Sequence, residues 1–258
     1  MAYRFFLGGR DLEMAEIRVL LDRHAPGWIE DKHLAWGAKT SDYQAELLAA
    51  LVRDETPVLI ELQDDLPLAP VDQGRVVIVD HHGVRAGAGE ATSIEQVWRL
   101  LGLPAADWPR RLALVAANDR AHVAGLIAMG ATPAEVAEIR SADRMAQGVT
   151  PADEAEAGRA IAARCQDGKV TVIETGGSTS SAIADRILPA LGGPGYERLL
   201  VAMPREVAVF ADGAAIRELA DAYPESWWGG DLPNAGFWGM ALPAAGNGTV
   251  SGLVDRLR

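Results

Sequence analysis

Along the first half of the chain, apolar and polar positions form blocks that predict strands and helices in turn. Tyr3 to Leu7 is a short apolar run that suits a strand, and the stretch from about Leu12 to His24 sets Met14, Ile17, Leu20 and Leu21 at helical spacing. A second helix is predicted over about 43–53 and a second strand over 57–62, Pro-Val-Leu-Ile-Glu-Leu. Residues 76–79, Val-Val-Ile-Val between Gly74 and Gly83, predict a fully buried parallel strand. Thr92 or Ser93 caps the helix that follows, with Glu95 or Gln96 placed to close a capping box. Leu112 to Met129 reads as a mostly buried helix carrying Asp119, a polar residue that needs a partner in so apolar a setting.

Gly148-Val149-Thr150-Pro151 interrupts this pattern, and an acidic, Ala-rich helix to Cys165 is read as a linker. Beyond Gly168 the chain predicts a strand over 169–174, a helix over 179–191, strands over 198–203 and 206–211, and a helix over 213–222. A Gly/Trp-rich segment and a short terminal helix close it. The expected fold class is α/β. A doubly wound, mainly parallel sheet is expected over 1–148, a linker helix over 149–167, and a smaller α/β domain over 168–258, with the active cleft between the two domains.

Composition narrows the function. A formal net charge of −12, with 24 Lys and Arg scattered and no basic run, disfavours long nucleic acid, which is held by basic stripes that release counterions. A small anionic, phosphate-containing substrate remains compatible if acidic residues gather around a divalent cation. No apolar run is long enough to cross a bilayer, the opening residues lack the apolar core of a secretion signal, and the one cysteine, Cys165, fits a reducing compartment. No membrane partner is expected, the expected location is the cytoplasm, and a homodimer is allowed.

The chemistry converges on Asp80-His81-His82, delivered at the end of the 76–79 strand. In open α/β sheets the ligand crevice lies outside the carboxyl ends of the strands, so an acid and two imidazoles there point to a metal site. With its surroundings this tripeptide resembles the DHH phosphoesterase superfamily. Gly8-Gly9-Arg10-Asp11-Leu12-Glu13, after the first strand, is similar to the family's first motif with its Asp-x-Asp pair. Glu61 ends the second strand where the family usually has Asp, and Asn118-Asp119 resembles the fourth motif.

The resemblance implies metal-dependent hydrolysis of a phosphoester or phosphoanhydride bond in a short nucleotide or other small phosphate compound, with Mn2+ as the expected ion and Mg2+ as an alternative. Carried over residue by residue, Asp11 serves one ion and Glu13 the other, Glu61 bridges them, and His81 and Asp119 complete the ligand set of the second ion. Asp80 then orients His81, and His82 faces the phosphate. The family's first-motif His is replaced here by Leu7, which removes a ligand from the first ion. His122, three residues after Asp119, is a candidate replacement or a helix-surface histidine. Arg10 and Arg120 each sit beside a proposed ligand and either neutralise phosphate or form structural ion pairs. In the second domain the expected substrate contact is Gly246-Asn247-Gly248-Thr249, ahead of the last helix. The Ser/Thr-rich turn 174–182 is an anion site or an ordinary cap, and the tryptophans at 227, 228 and 238 stack a base or fill a core. A different class of function, a non-catalytic regulatory protein with a degenerate site, is the alternative.

Overall fold

A computed structural model describes residues 2–66, 74–81, 89–230, 232, 234–242 and 247–258. The chain divides into two compact units, Met1–Gln147 and Gly148–Arg258. In the first, strands β1 (Tyr3–Phe6), β2 (Ile29–Glu30), β3 (Thr56–Ile60) and β4 (Val77–Val79) form a parallel sheet in the order β2-β1-β3-β4. The helices are α1 (Leu12–His24), α2 (Gln44–Val52), α3 (Ser93–Leu100), α4 (Arg110–Ala128) and α5 (Pro133–Ala146).

Both faces of this sheet are covered, which is why its strands are apolar throughout rather than alternating. Phe5, Val58, Ile60 and Val79 pack with Met14, Ile17, Ile94, Val97 and Ala116 of α1, α3 and α4. Phe6 and Leu59 face the other way, onto Tyr43, Leu47 and Ala50. The mainly parallel, doubly wound α/β sheet expected from sequence is present. Its 76–79 strand is parallel but not fully buried, because β4 is the last strand of the sheet among the described residues and Ile78 is 40% exposed.

Helix α4 also departs from expectation. Its backbone breaks at Ala121 (φ −153°, ψ 28°) and His122 (φ 52°, ψ −142°), just past Asp119. Buried residues crowd the first half, whereas beyond the break Ile127 is 56% exposed. Gly125 lets the second half approach the first, since a Cβ there would lie 2.1 Å from the Ala117 carbonyl oxygen.

In the second unit, helix α6 (Pro151–Ala162) is followed by β5 (Cys165–Asp167), β6 (Val170–Glu174), α7 (Ser181–Arg186), β7 (Arg198–Ala202), β8 (Glu206–Ala211), α8 (Gly213–Ala222), β9 (Trp227–Gly229), β10 (Gly236–Ala241) and α9 (Asn247–Leu257). The sheet runs β5-β6-β7-β8-β10-β9, with β6 and β7 parallel and the remaining pairs antiparallel. The stretch expected as a linker helix is built into this unit: Ala157 and Ala160 pack with Ile173, Ile183 and Val201. Helix α6 ends at Ala162, and Cys165 is exposed on a short strand rather than ending a helix.

The Gly/Trp-rich segment makes two strands instead of a loop. Trp238 is fully buried among Val209, Ile216 and Leu253. Across the β9–β10 ladder aromatic rings lie over glycines, and a Cβ on Gly239 would come 2.5 Å from the Trp227 indole nitrogen. No helix among the described residues is long and apolar enough to cross a membrane.

Candidate metal centre

Four proposed ligands come together at the carboxyl ends of the parallel strands. Glu13, Glu61, His81 and Asp119 each offer a ligand atom, and these atoms all lie within 4.8 Å of one another. His81 Nε2 is 3.6 Å from Glu13 Oε2 and 3.4 Å from Glu61 Oε1, and it also pairs with Asp119 Oδ2. These are the residues assigned from the resemblance to the second ion, together with the bridging position.

Local structure explains the convergence. Glu13 lies in the first turn of α1, Glu61 follows β3, His81 follows β4, and Asp119 ends the straight half of α4. The start of α3 then orients two of the carboxylates: the Ile94 backbone N–H donates to Glu13 Oε1 at 3.0 Å, and the Ser93 hydroxyl donates to Glu61 Oε1 at 2.7 Å. A helix N-terminus favours negative charge and has spare N–H donors, so it suits this task. Thr92 and Glu95 close the capping box that fixes that terminus. Gln96 Nε2 donates to the Asp80 carbonyl at 2.9 Å, which ties the strand end bearing His81 to the same helix. Glu61 itself has φ +51°, a conformation L-residues seldom adopt and one that typically costs about 1–3 kcal/mol. His122, at the break after Asp119, shares this left-handed φ.

Two adjacent glycines lock the first-motif loop in place. A Cβ on Gly8 would lie 2.6 Å from the Ile60 carbonyl oxygen and 2.7 Å from that of Glu61, and one on Gly9 would lie 2.9 Å from the Ala35 carbonyl oxygen and from Trp36 Cα. Side chains are excluded there because three segments meet.

The electrostatics are those of crowded, buried acids. Burial pushes Glu13 up to about 8 although His81 pulls it down, and Asp119 and Glu61 add to the rise. Burial likewise raises Asp11 to about 7, followed by the nearby charge of Glu61. For His81, burial works against the charged form, but the polar contacts with Asp119, Glu13 and Glu61 outweigh it and raise the imidazole to about 12. Glu13 Oε2 is buried and has no hydrogen-bond partner among the described residues, with His81 Nε2 3.6 Å away. A buried carboxylate oxygen in that position fits a cation.

The other residues singled out from the sequence fall in different places. Asp11 stands outside the group of four and caps α1, its Oδ1 accepting from the Met14 N–H at 2.8 Å. It lines a cavity of about 240 Å³ together with Leu7, Arg10, Met14, Arg18 and His33. Arg10 is exposed, and its backbone N–H donates to the Leu34 carbonyl. Arg120 pairs with Glu95 at 2.8 Å, an ion pair of the structural kind the sequence allowed. His122 is exposed and outside the group, and the helix break removes the shared helical face on which its candidacy rested. His82 and Gly246 lie outside the described residues. Asn247, Gly248 and Thr249 open helix α9 instead of forming a loop ahead of it, and Gly248 is exposed. In the Ser/Thr-rich turn, the Gly176 N–H and the Thr175 hydroxyl both donate to Glu156 Oε1, at 3.1 and 3.0 Å, so the anion held there is the protein's own carboxylate.

Sequence reasoning missed a buried polar cluster behind the site. Arg140 Nη1 donates to Asn118 Oδ1 at 2.7 Å and to Asp143 Oδ2 at 2.6 Å, while Asp143 Oδ1 accepts from the Leu12 N–H at 3.2 Å. This ties the residue before Asp119 to the residue before Glu13. The signal available was the Thr132-Pro133 start of α5 with Glu135 closing its capping box, which announces a helix but not what it reaches.

No protein-family model and no curated protein matches the chain. Among solved structures, the DHH domain of a protein assigned to a family of ribosomal proteins matches with a TM-score of 0.53 at 14% identity, over 99% of this chain and 86% of its own. The pGpG-specific phosphodiesterase PggH of Vibrio cholerae gives a TM-score of 0.41 at 11% identity, over 100% of this chain and 99% of its own. An exonuclease RecJ bound to manganese gives 0.45 at 15% identity, over 99% and 90%. With the sheet order and the ligand positions described above, the first match fixes the architecture: the chain has the fold of DHH-domain proteins.

Proposed function

We propose that the chain is a metal-dependent phosphoesterase that hydrolyses a phosphodiester or phosphoanhydride bond in a short nucleotide or other small phosphate compound. The observation that carries this reading is the group Glu13, Glu61, His81 and Asp119 at the strand ends, Glu13 buried and the others half-buried, with Glu13 Oε2 lacking a hydrogen-bond partner among the described residues. These four residues would hold a divalent cation. Carboxylate oxygens with one imidazole and no thiolate suit Mn2+, with Mg2+ as the alternative. Such an ion, when bound, polarises a phosphoryl oxygen and makes a water nucleophilic near neutral pH.

The chain's own residues supply the rest. Glu13 and Glu61 are oriented before any ligand arrives, because α3 already holds one oxygen of each. The exposed Arg10, on the loop between Gly9 and Asp11, is assigned to the phosphate. His82 is assigned to the substrate and Asp80 to positioning His81. Arg120 would first have to leave Glu95. Asp11, raised to about 7 by burial and then by the charge of Glu61, is assigned as a further metal ligand beside the group of four.

Calorimetric titration with Mn2+, followed by a Mn2+-dependent hydrolysis screen against the dinucleotide pApA and inorganic pyrophosphate, tests the reading. Saturable Mn2+ binding and release of mononucleotide or phosphate are expected. Absence of binding overturns the metal centre, and binding without turnover of either compound overturns the enzyme.

A further inference from the structure

The segment 34–40 leans on two of the segments that lead to or from proposed metal ligands. On one side the Arg10 N–H donates to the Leu34 carbonyl at 2.9 Å, and Gly9 packs directly on the backbone of Ala35 and Trp36. On the other, Thr40 and Gln63 exchange backbone contacts: Thr40 N–H donates to the Gln63 carbonyl and Gln63 N–H to the Ala38 carbonyl, each at 2.9 Å, with a parallel bridge between Lys39 and Gln63. Gln63 is two residues past Glu61, and Gly9 is two before Asp11. Ala38 and Thr40 are buried. Between these anchors the Trp36 side chain is 86% exposed.

A large indole left in water on a backbone fixed at both ends is not serving the core. It is held in position at little further loss of freedom, since a tryptophan has only two side-chain torsions to order. Resting on the phosphoesterase reading for the anionic part of its ligand, we propose that Trp36 is the platform on which a nucleobase of the substrate stacks. A planar group joined to a phosphate suits this place, because the backbone of 34–36 packs on the first-motif loop, which carries Arg10 and runs into Glu13. A nucleoside phosphate meets both requirements, whereas pyrophosphate offers nothing to the indole. Stacking on an aromatic ring tolerates any base, so this residue selects nucleotides as a class and leaves sequence preference to other contacts.

The test is equilibrium binding of AMP and of ribose 5-phosphate, which keeps sugar and phosphate without the base, to the full chain in the presence of Mn2+. Trp36→Ala is expected to weaken AMP binding by roughly 5- to 150-fold, the loss of one stacked base, and to leave ribose 5-phosphate unchanged. Trp36→Phe should recover most of the affinity. Equal AMP affinity in wild type and Trp36→Ala overturns the proposal, as does a wild type that fails to bind AMP or binds it no more tightly than ribose 5-phosphate. A protein surface or a lipid as the true occupant would give the first of these results. Failure of the enzymatic reading is distinguishable: AMP binding that depends on Trp36, with no turnover of pApA, leaves the platform standing and removes the phosphoesterase.

Discussion

Glu13→Gln is expected to stabilise the metal-free protein and to abolish most of its response to Mn2+. Three carboxylates and one imidazole offer atoms within 4.8 Å of each other, and Glu13 is 2% exposed. A single imidazolium balances one of three negative charges, so without a cation the group carries excess charge where solvation is poor. Burial raises Glu13 from its ordinary 4.5 to about 8. Its folded-state value lies above its unfolded one, so its contribution is intact below pH 4.5 and is lost progressively as pH rises to about 8. At pH 7 the folded chain protonates a carboxyl that the unfolded chain leaves ionised, which opposes folding by up to about 3 kcal/mol. The neutral amide removes that opposition but loses part of the His81 contact, so a net gain of about 1–3 kcal/mol is expected, several degrees in melting temperature. Thermal denaturation at pH 7 with EDTA and with Mn2+ checks it. At 100 times its dissociation constant Mn2+ should add about 2.7 kcal/mol to the wild type. The variant should gain less than a third of that, so its lead over the wild type should shrink by at least about 1.8 kcal/mol. A variant that melts below wild type in EDTA, or that keeps the full Mn2+ response, would refute the reasoning.

Asp119→Ala should lose Mn2+ affinity and turnover together, while His82→Ala should keep the affinity and lower turnover; equal loss of affinity in both, by calorimetry, would erase the division of roles between ligand and substrate contact. Gly8→Ala places a Cβ 2.7 Å from the Glu61 carbonyl oxygen and should weaken Mn2+ binding without touching any ligand side chain, so an unchanged dissociation constant would show that the Glu61 turn can move freely. Glu55, 7% exposed, is held down to about 2 by Arg53 and then Arg4. A depressed carboxyl contributes stability above about pH 4.5 and loses it as pH falls through about 2. Glu55→Gln should therefore be less stable than wild type in urea at pH 7, with the difference closing by pH 2, and a gap that persists in acid would assign it to packing instead.

Much of the fold was legible because periodicity and caps are local. The helix read over 12–24 has those bounds in the structure, and the strands at 198–203 and 206–211 differ by a residue at most. Four residues named as ligands meet because each follows a strand or sits on a helix whose apolar face is unambiguous. What escaped depends on contacts across the chain. Nothing in Arg120-Ala121-His122 breaks a helical pattern, yet the straight helix ends there and His122 is carried away from Asp119. Trp227-Trp228-Gly229 and Phe237-Trp238-Gly239 lack strand alternation because aromatic rings of one strand cover glycines of the other, a pairing visible only once register is known. Arg140 and Asp143 are buried because of where α5 lands, which no local pattern announces.

The outermost strands of the second unit's sheet have a consequence for handling the protein. Strands β5 and β9 are three residues each, so neither exposes a ladder long enough to recruit another chain by edge pairing. On β5, however, Cys165 is exposed beside that short edge. In storage without reductant, two molecules meeting there are expected to cross-link through sulfur without any edge pairing. A dimer seen under those conditions should disappear with dithiothreitol or in Cys165→Ser, and only one that survives both reflects assembly of the native chain.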